Sequence, residues 1–352
     1  MSTIVLTGGG TAGHIIPHIA LLHYIEKDFD KIYYIGSANS MEERMVSSYK
    51  NITFLSIETC KLERKFTLNN LKIPFALAKG ILQANKLLKK IKPDVIFSKG
   101  GYVALPVVLA SKKIPVVSHE SDITMGLANK LMAHKCKVMC TNFESTAHTL
   151  NNGVFTGAPI RHELYNGNKH NIINEYKLSP EKSTILVMGG SLGSVNINKN
   201  VRAILPDLLK KYNVIHIVGK GNIDETLKQN YYIQIEFTDK ISDYFATADV
   251  IVSRAGATAI HEFLALRKPM LLIPLSKMAS RGDQILNAKN FNERRIANIL
   301  FEENMSPQNL KVAILKLFSS RIELIKNMSK EPNTDGTKKI YEQILKYSKL
   351  AT

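Results

Sequence analysis

The sequence predicts an α/β protein built from two Rossmann-like, doubly wound parallel-sheet domains in tandem. Three observations carry this. At 352 residues the chain exceeds one ordinary domain and suits two of about 150–180 residues each. Short β-branched runs alternate with longer helical patterns from end to end, as parallel βαβ units require. Each half opens with a strand that runs straight into glycines: Ile4-Val5-Leu6-Thr7-Gly8-Gly9-Gly10, then Ile185-Leu186-Val187-Met188-Gly189-Gly190-Ser191. The recurrence implies two mononucleotide-binding-type sheets, each with a phosphate-friendly loop at its carboxyl edge.

The strand candidates follow in order. In the first half they are Thr3–Thr7, Lys31–Gly36, Ile52–Ile57, Asp94–Ser98, Pro115–Ser118 and Lys137–Thr141. In the second they are Thr184–Met188, Val214–Val218, Ile233–Phe237, Asp249–Ser253, Met270–Pro274 and Ala297–Phe301. The polar stretch Asn151–Asn171 reads as the linker, which gives domains at 1–157 and 158–335. A last helix within 336–352, beyond Pro332 and Gly336, is expected to pack back on the first domain.

Composition narrows the function. Hydrophobic residues make up 45% and charged residues 22%, the balance of a globular protein. No apolar run approaches the ~20 residues needed to span a bilayer, and no signal peptide precedes the first strand pattern. Three cysteines give no disulfide framework. Cys136 and Cys140 read as strand positions four apart, roughly 13 Å apart on one face, and as buried thiols of a reducing cytosol. The net charge of +17 favours a polyanionic partner: nucleic acid, a phosphorylated substrate or an anionic membrane face. Nucleic acid fits poorly, because there is no Trp, aromatics are 7%, and the basic cluster lacks interleaved stacking residues.

That cluster spans 61–92, where Lys61, Arg64, Lys65, Lys72, Lys79, Lys86, Lys89, Lys90 and Lys92 face one acid, Glu63. In the helix after Pro74, Leu77, Ile81, Ala84, Leu88 and Ile91 form a core stripe. Phe75 and Leu82 lie on the other side among Lys79 and Lys86. Burying that stripe in protein would bury the lysines too. At a bilayer the apolar groups enter the headgroup boundary while each lysine gains about 1 kcal/mol from anionic lipid.

The loops carry the chemistry. Gly8-Gly9-Gly10-Thr11-Ala12-Gly13-His14 matches Gly-x-Gly-x-x-Gly between a strand and a helix, a place where backbone N–H groups approach an anion. A nicotinamide dinucleotide enzyme would need an acid at the end of the second strand. That strand ends Tyr34-Ile35-Gly36-Ser37-Ala38, with none before Glu42. In the second half, Gly189-Gly190-Ser191-Leu192-Gly193 adds a hydroxyl to the amides, and Arg254-Ala255-Gly256-Ala257-Thr258 opens a second helix N-terminus. Glu262 follows about one and a half turns later, as a ribose-diol acceptor or a solvated helix glutamate. Arg281 to Asn287, with Gln284, adds a polar cluster at the same edge. Together they read as a nucleotide-diphosphate site with sugar contacts. Asp28-Phe29-Asp30 falls at the amino edge as a turn, so neither a diphosphate-chelating metal nor a cofactor is expected.

Taken in order, these motifs resemble the MurG family, bacterial undecaprenyldiphospho-muramoylpentapeptide β-N-acetylglucosaminyltransferases of GT-B fold. The resemblance runs nearly end to end. It adds Lys92-Pro93-Asp94-Val95, Gly100-Gly101-Tyr102, Ile114 to Glu120 and Gly157-Ala158-Pro159-Ile160-Arg161 to the loops above. It implies two domains facing across a cleft, UDP-N-acetylglucosamine as donor and undecaprenyl-diphosphate-linked muramoyl-pentapeptide as acceptor, at the cytoplasmic membrane face. Another GT-B transferase acting on a different lipid or natural product is the alternative.

The same resemblance implies residue roles. Ser191 and Leu192 fall at the diphosphate, Glu262 at the ribose, Ala257 and Thr258 at the phosphates, and Gln284 and Asn287 at sugar and diphosphate. Arg161 supplies positive charge near the leaving group. Thr11, Ala12, Gly13 and His14 face the sugar, and Gly100, Gly101 and Tyr102 the acceptor diphosphate. His14 is the preferred base, with Glu120 as rival. Three positions depart from the family: Ala12 replaces a glycine, Leu192 a glutamine, and Asp122 an asparagine that donates to the acetylated sugar.

Overall fold

The computed structural model describes residues 2–60, 73–190, 193–276 and 281–348. The chain divides into two compact units, Met1–Arg161 with Asp335–Thr352, and His162–Thr334.

In the first unit seven parallel strands pair in the order β3-β2-β1-β4-β5-β6-β7. They are β1 Thr3–Gly8, β2 Lys31–Ser37, β3 Ile52–Ile57, β4 Val95–Gly100, β5 Val116–Glu120, β6 Val138–Thr141 and β7 Gly153–Phe155. The order reverses between β1 and β4, so the loops after those two strands open at the topological switch point, where α/β sheets bind ligands. The helices are α1 Ala12–Asp28, α2 Met41–Val46, α3 Ile73–Ile91, α4 Gly101–Ala110, α5 Leu127–Met132, α6 Glu144–His148 and, from the far end of the chain, the last one, Thr337–Tyr347.

β1, β4 and β5 are buried along their whole length, because both sheet faces are covered and nearly every side chain meets a helix. Ile4, Leu6, Val95 and Phe97 pack with Ile15, Leu21 and Ile25 of α1 and with Ile340 and Ile344 of the last helix. Val5, Ile96 and Val116 point the other way, to Ala84 and Leu88 of α3 and Val107 and Val108 of α4. The last helix is tied at its start as well. Gly336 N donates to Ala158 O at 2.7 Å, Ile160 N to Thr337 Oγ1 at 2.8 Å, and the Tyr341 hydroxyl to Asp28.

Two expectations are corrected here. The stretch read as a linker contains β7, which pairs with β6, so the first sheet has a seventh strand; three residues were too short a run to show alternation. The cysteines do not share a face. Cys136 precedes β6 and packs against α4, whereas Cys140 lies within β6 and packs against α1, and burial pushes both thiols up to about 12.

The second unit repeats the pattern with β10-β9-β8-β11-β12-β13, again all parallel. Its strands are β8 Ser183–Met188, β9 Tyr212–Ile217, β10 Tyr232–Ile235, β11 Val250–Ser253, β12 Met270–Leu272 and β13 Asn298–Ile299. Its helices are α7 Lys169–Tyr176, α8 Val195–Leu208, α9 Ile241–Thr247, α10 Ala257–Ala265, α11 Asp283–Glu293 and α12 Pro307–Met328, which makes the chain's last helix α13. The switch point lies between β8 and β11. No helix among the described residues is long and apolar enough to cross a membrane.

Candidate active site

In the first unit the site is set by the turn from β1 into α1 and by the start of α4. Thr11 is the N-cap of α1, but its hydroxyl caps no backbone amide. It lies 2.8 Å from His14 Nδ1. With Nδ1–H donating to that oxygen, Nε2 is the lone-pair nitrogen of the ring. Gly101 has φ +82°, and a Cβ there would stand 3.5 Å from His14 Nε2. Glycine at 101 therefore keeps the approach to the imidazole open.

His18, one turn further along α1, is a contrast. It is 1% exposed, and burial, together with nearby Lys99, lowers its pKa to about 3. A ring sealed in the core, where taking up a proton is strongly disfavoured, is unsuited to accept one from a substrate hydroxyl. His14, by contrast, is only half-buried.

The first glycine loop departs from expectation. The carboxylate of Glu42, 1% exposed, accepts from Gly10 N at 3.3 Å and Ser37 N at 3.2 Å. The Tyr102 ring lies against Gly10, where a Cβ would come within 2.5 Å of it. A carboxylate already occupies the Gly10 amide, so that amide is not a phosphate cradle. Thr11 to Gly13 and Gly100 to Tyr102 are the other expected site residues at this edge.

Glu120, at the end of β5, is a heavily hydrogen-bonded carboxylate. It accepts from Ser121 N at 2.8 Å, Asp122 N at 3.0 Å, Gly126 N at 3.0 Å and Asn129 Nδ2 at 2.8 Å. Four N–H donors engage it and brace the 120–126 loop, which carries Asp122. That is the chemistry of a strut, whereas a base needs an unengaged lone pair.

Sequence reasoning missed Lys99, whose signal was a charged residue inside the fully buried strand β4. It is 2% exposed, and its ammonium donates to Ser121 Oγ at 2.6 Å. Burial lowers its pKa to about 8, and Glu120 and Asp122 partly offset the fall. Acceptor kcat/KM is accordingly expected to decline as pH rises through about 8, and Lys99→Arg is expected to move that decline to higher pH. The folded-state pKa lies below the ordinary 10.5, so between those values the folded state binds fewer protons and stability rises with pH. Unfolding therefore does not explain such a decline. Identical pH–rate profiles for the two proteins would contradict the role.

In the second unit, three loops after β8, β11 and β12 meet at one edge. The N-terminus of α8 is capped by its own Ser194, which accepts from Ile197 N at 3.4 Å. Gly256, the N-cap of α10, has no side chain to cap with. The first amides of α10, at Ala257 and Thr258, are therefore the ones suited to a phosphate. Glu262 is 4% exposed; of its two readings, the solvated helix glutamate is ruled out. Ser191 and Leu192 lie outside the described residues.

Gln284 is half-buried and its Oε1 accepts from Leu275 N at 3.1 Å, tying α11 to the end of β12. Asn287 is 0% exposed and donates to Ala255 O at 3.3 Å. That bond ties α11 to the 254–256 turn. Arg281 pairs with Asp283 at 2.7 Å. Arg161 is half-buried at the boundary between the units.

Arg254 is the second residue missed. Its guanidinium is 8% exposed and reaches Ser194 Oγ at 2.8 Å, Ile273 O at 3.2 Å and Glu302 Oε1 at 2.6 Å. One buried fork thus joins the loops after β8, β11 and β12. An arginine immediately after a buried strand was the available signal.

Two doubly wound parallel sheets in tandem are the architecture of the GT-B glycosyltransferases. Residues 4–141 match the glycosyltransferase family 28 N-terminal domain and residues 184–344 the family 28 C-terminal domain. The chain belongs to glycosyltransferase family 28 and, within it, to the MurG family.

It is 47% identical, over 99% of its length and 100% of the relative's, to the UDP-N-acetylglucosamine–N-acetylmuramyl-(pentapeptide) pyrophosphoryl-undecaprenol N-acetylglucosamine transferase of Lachnospira eligens. The protein of the same name from Clostridium botulinum is 48% identical over 97% of each chain. The crystal structure of Acinetobacter baumannii MurG superposes with a TM-score of 0.75 at 24% identity, covering 98% of this chain and 100% of that one, and supports the fold.

Proposed function

We infer that the protein transfers N-acetylglucosamine from UDP-N-acetylglucosamine to the C4 hydroxyl of the muramoyl-pentapeptide on undecaprenyl diphosphate. Near-full-length identity to transferases of that name carries the reading. The reaction is one inverting displacement. The hydroxyl oxygen bonds to the anomeric carbon, the bond to the UDP oxygen breaks, and a base takes the hydroxyl proton.

The donor is held by the second unit, with Ala257 and Thr258 at the phosphates, Glu262 at the ribose and Gln284 at the sugar. Arg161 offsets charge on the departing UDP. The acceptor belongs to the first unit, with its diphosphate near Gly101 and Tyr102 and His14 Nε2 as base. The test is UDP release from UDP-N-acetylglucosamine, expected only when the lipid-linked acceptor is added. Equal release with and without acceptor would defeat the reading.

The enzyme works at the cytoplasmic membrane surface through α3. Phe75 is 79% and Leu82 70% exposed, whereas Ala84 and Leu88 on the other side are buried. Lys86 is exposed, while Lys79 pairs with Glu58 at 2.5 Å, an exposed contact worth little in water and open to exchange for lipid phosphate. The basic residues from Lys61 to Lys72 lie outside the described residues. Wild type is expected to sediment with anionic vesicles, less so at high salt. The variant Phe75→Ser/Leu82→Ser/Lys79→Glu/Lys86→Glu is expected to stay in the supernatant, and equal sedimentation would remove α3 from the docking role.

A further inference from the structure

We propose that the first isoprene units of the acceptor's polyprenyl chain leave the diphosphate along the outer face of α4 and pack against Leu127 and Leu131 of α5. This rests on the transferase reading above.

Leu127 is 55% and Leu131 50% exposed. They stand one turn apart on a helix whose other side is firmly seated. Asn129 and Met132 are buried, and Met132 packs in the core with Val107 and Val108 of α4. The face is not remote from the chemistry. Asn129 is held by Glu120, and its Oδ1 lies so close to Gly100 that a Cβ there would be 2.2 Å away. The leucines are thus about one helix diameter, roughly 10 Å, from the candidate diphosphate position.

Between that position and α3 runs α4, Gly101-Tyr102-Val103-Ala104-Leu105-Pro106-Val107-Val108-Leu109-Ala110, with no charged side chain. Its half-buried residues beyond the first turn are Leu105 and Leu109. α4 packs on both α3 and α5. The result is an uncharged strip that begins at a glycine pair and runs beside α5, where Lys130 is exposed.

Charge and shape choose the occupant. A headgroup sugar gains nothing from leucine side chains. An apolar chain covalently joined to a diphosphate needs an anion position at one end and an uncharged surface continuing from it. Lys130, exposed on α5 and between the two leucines in sequence, suits neighbouring lipid phosphates.

The test compares two acceptors identical but for their prenyl length, undecaprenyl and a ten-carbon chain, in detergent solution without a bilayer. Leu127→Ser/Leu131→Ser is expected to raise KM for the long acceptor about tenfold through lost apolar burial. KM for the short acceptor, donor KM and sedimentation with vesicles are expected to stay unchanged. An equal rise for both acceptors, or none for either, would overturn the proposal. So would lost sedimentation with unchanged detergent kinetics, which would assign the leucines to bilayer docking. Both leucines are half-exposed, and the short acceptor also checks that the variant is folded. If wild type uses neither acceptor, the transferase reading itself fails.

Discussion

Replacing His14 with alanine is expected to lower kcat by about 100-fold or more while UDP affinity stays near that of wild type. The direction follows from two contacts. Thr11 Oγ1 lies 2.8 Å from Nδ1, which orients the ring, and Gly101 leaves the Nε2 side open to a hydroxyl. Deleting the imidazole removes the proposed proton acceptor but no part of the second unit, the proposed seat of UDP. Turnover of the variant is the decisive measurement. A kcat within a few-fold of wild type would return the search to the 120–126 loop, although Glu120 itself is engaged by four N–H donors there. Thr11→Val tests the orientation separately. It keeps the imidazole, removes its partner, and is expected to lower kcat by a smaller factor.

Glu262→Ala is expected to raise donor KM by about 10–100-fold and to leave acceptor KM nearly unchanged. Hydrogen bonds to a charged group contribute about 1.5–3 kcal/mol. The side chain is 4% exposed, so its removal also affects packing, and a lowered melting temperature alone does not test the role. Glu262→Gln separates the two effects. It keeps the volume and an acceptor oxygen but loses the charge, and it is expected to fold normally with an intermediate donor KM. An unchanged donor KM in both variants would make Glu262 a packing residue of α10.

The doubly wound architecture was legible because the parallel strands are buried on both faces and read as continuous apolar runs. The far-edge strand β7 was not: three residues are too few for a period, whereas the two-residue β13 lies inside the expected strand Ala297–Phe301. Motif positions were legible too, since glycine spacing survives in one dimension. What the spacing hides is which amides are already taken. Nothing local to Gly10 announces that Glu42 will fold onto it, and nothing near Glu120 foretells Asn129. Lys99 and Arg254 were hidden for a related reason: a buried charge is recognised by partners that are distant in the chain, Ser121 for one and Glu302 for the other.

The return of α13 to the first unit bears on biosynthesis. Ile340 and Ile344 complete a core begun by Ile4 and Leu6, so more than 300 residues separate its first and last contributors. A ribosome must finish nearly the whole polypeptide before that core can close, whereas His162–Thr334 is contiguous and emerges earlier. The half-made protein therefore displays an unsealed apolar groove on the α1 side of its first sheet. Nascent chains stalled just short of residue 337 should be the species most avidly held by chaperones, and loss of the last helix should harm the first unit, although the helix follows the second in the chain.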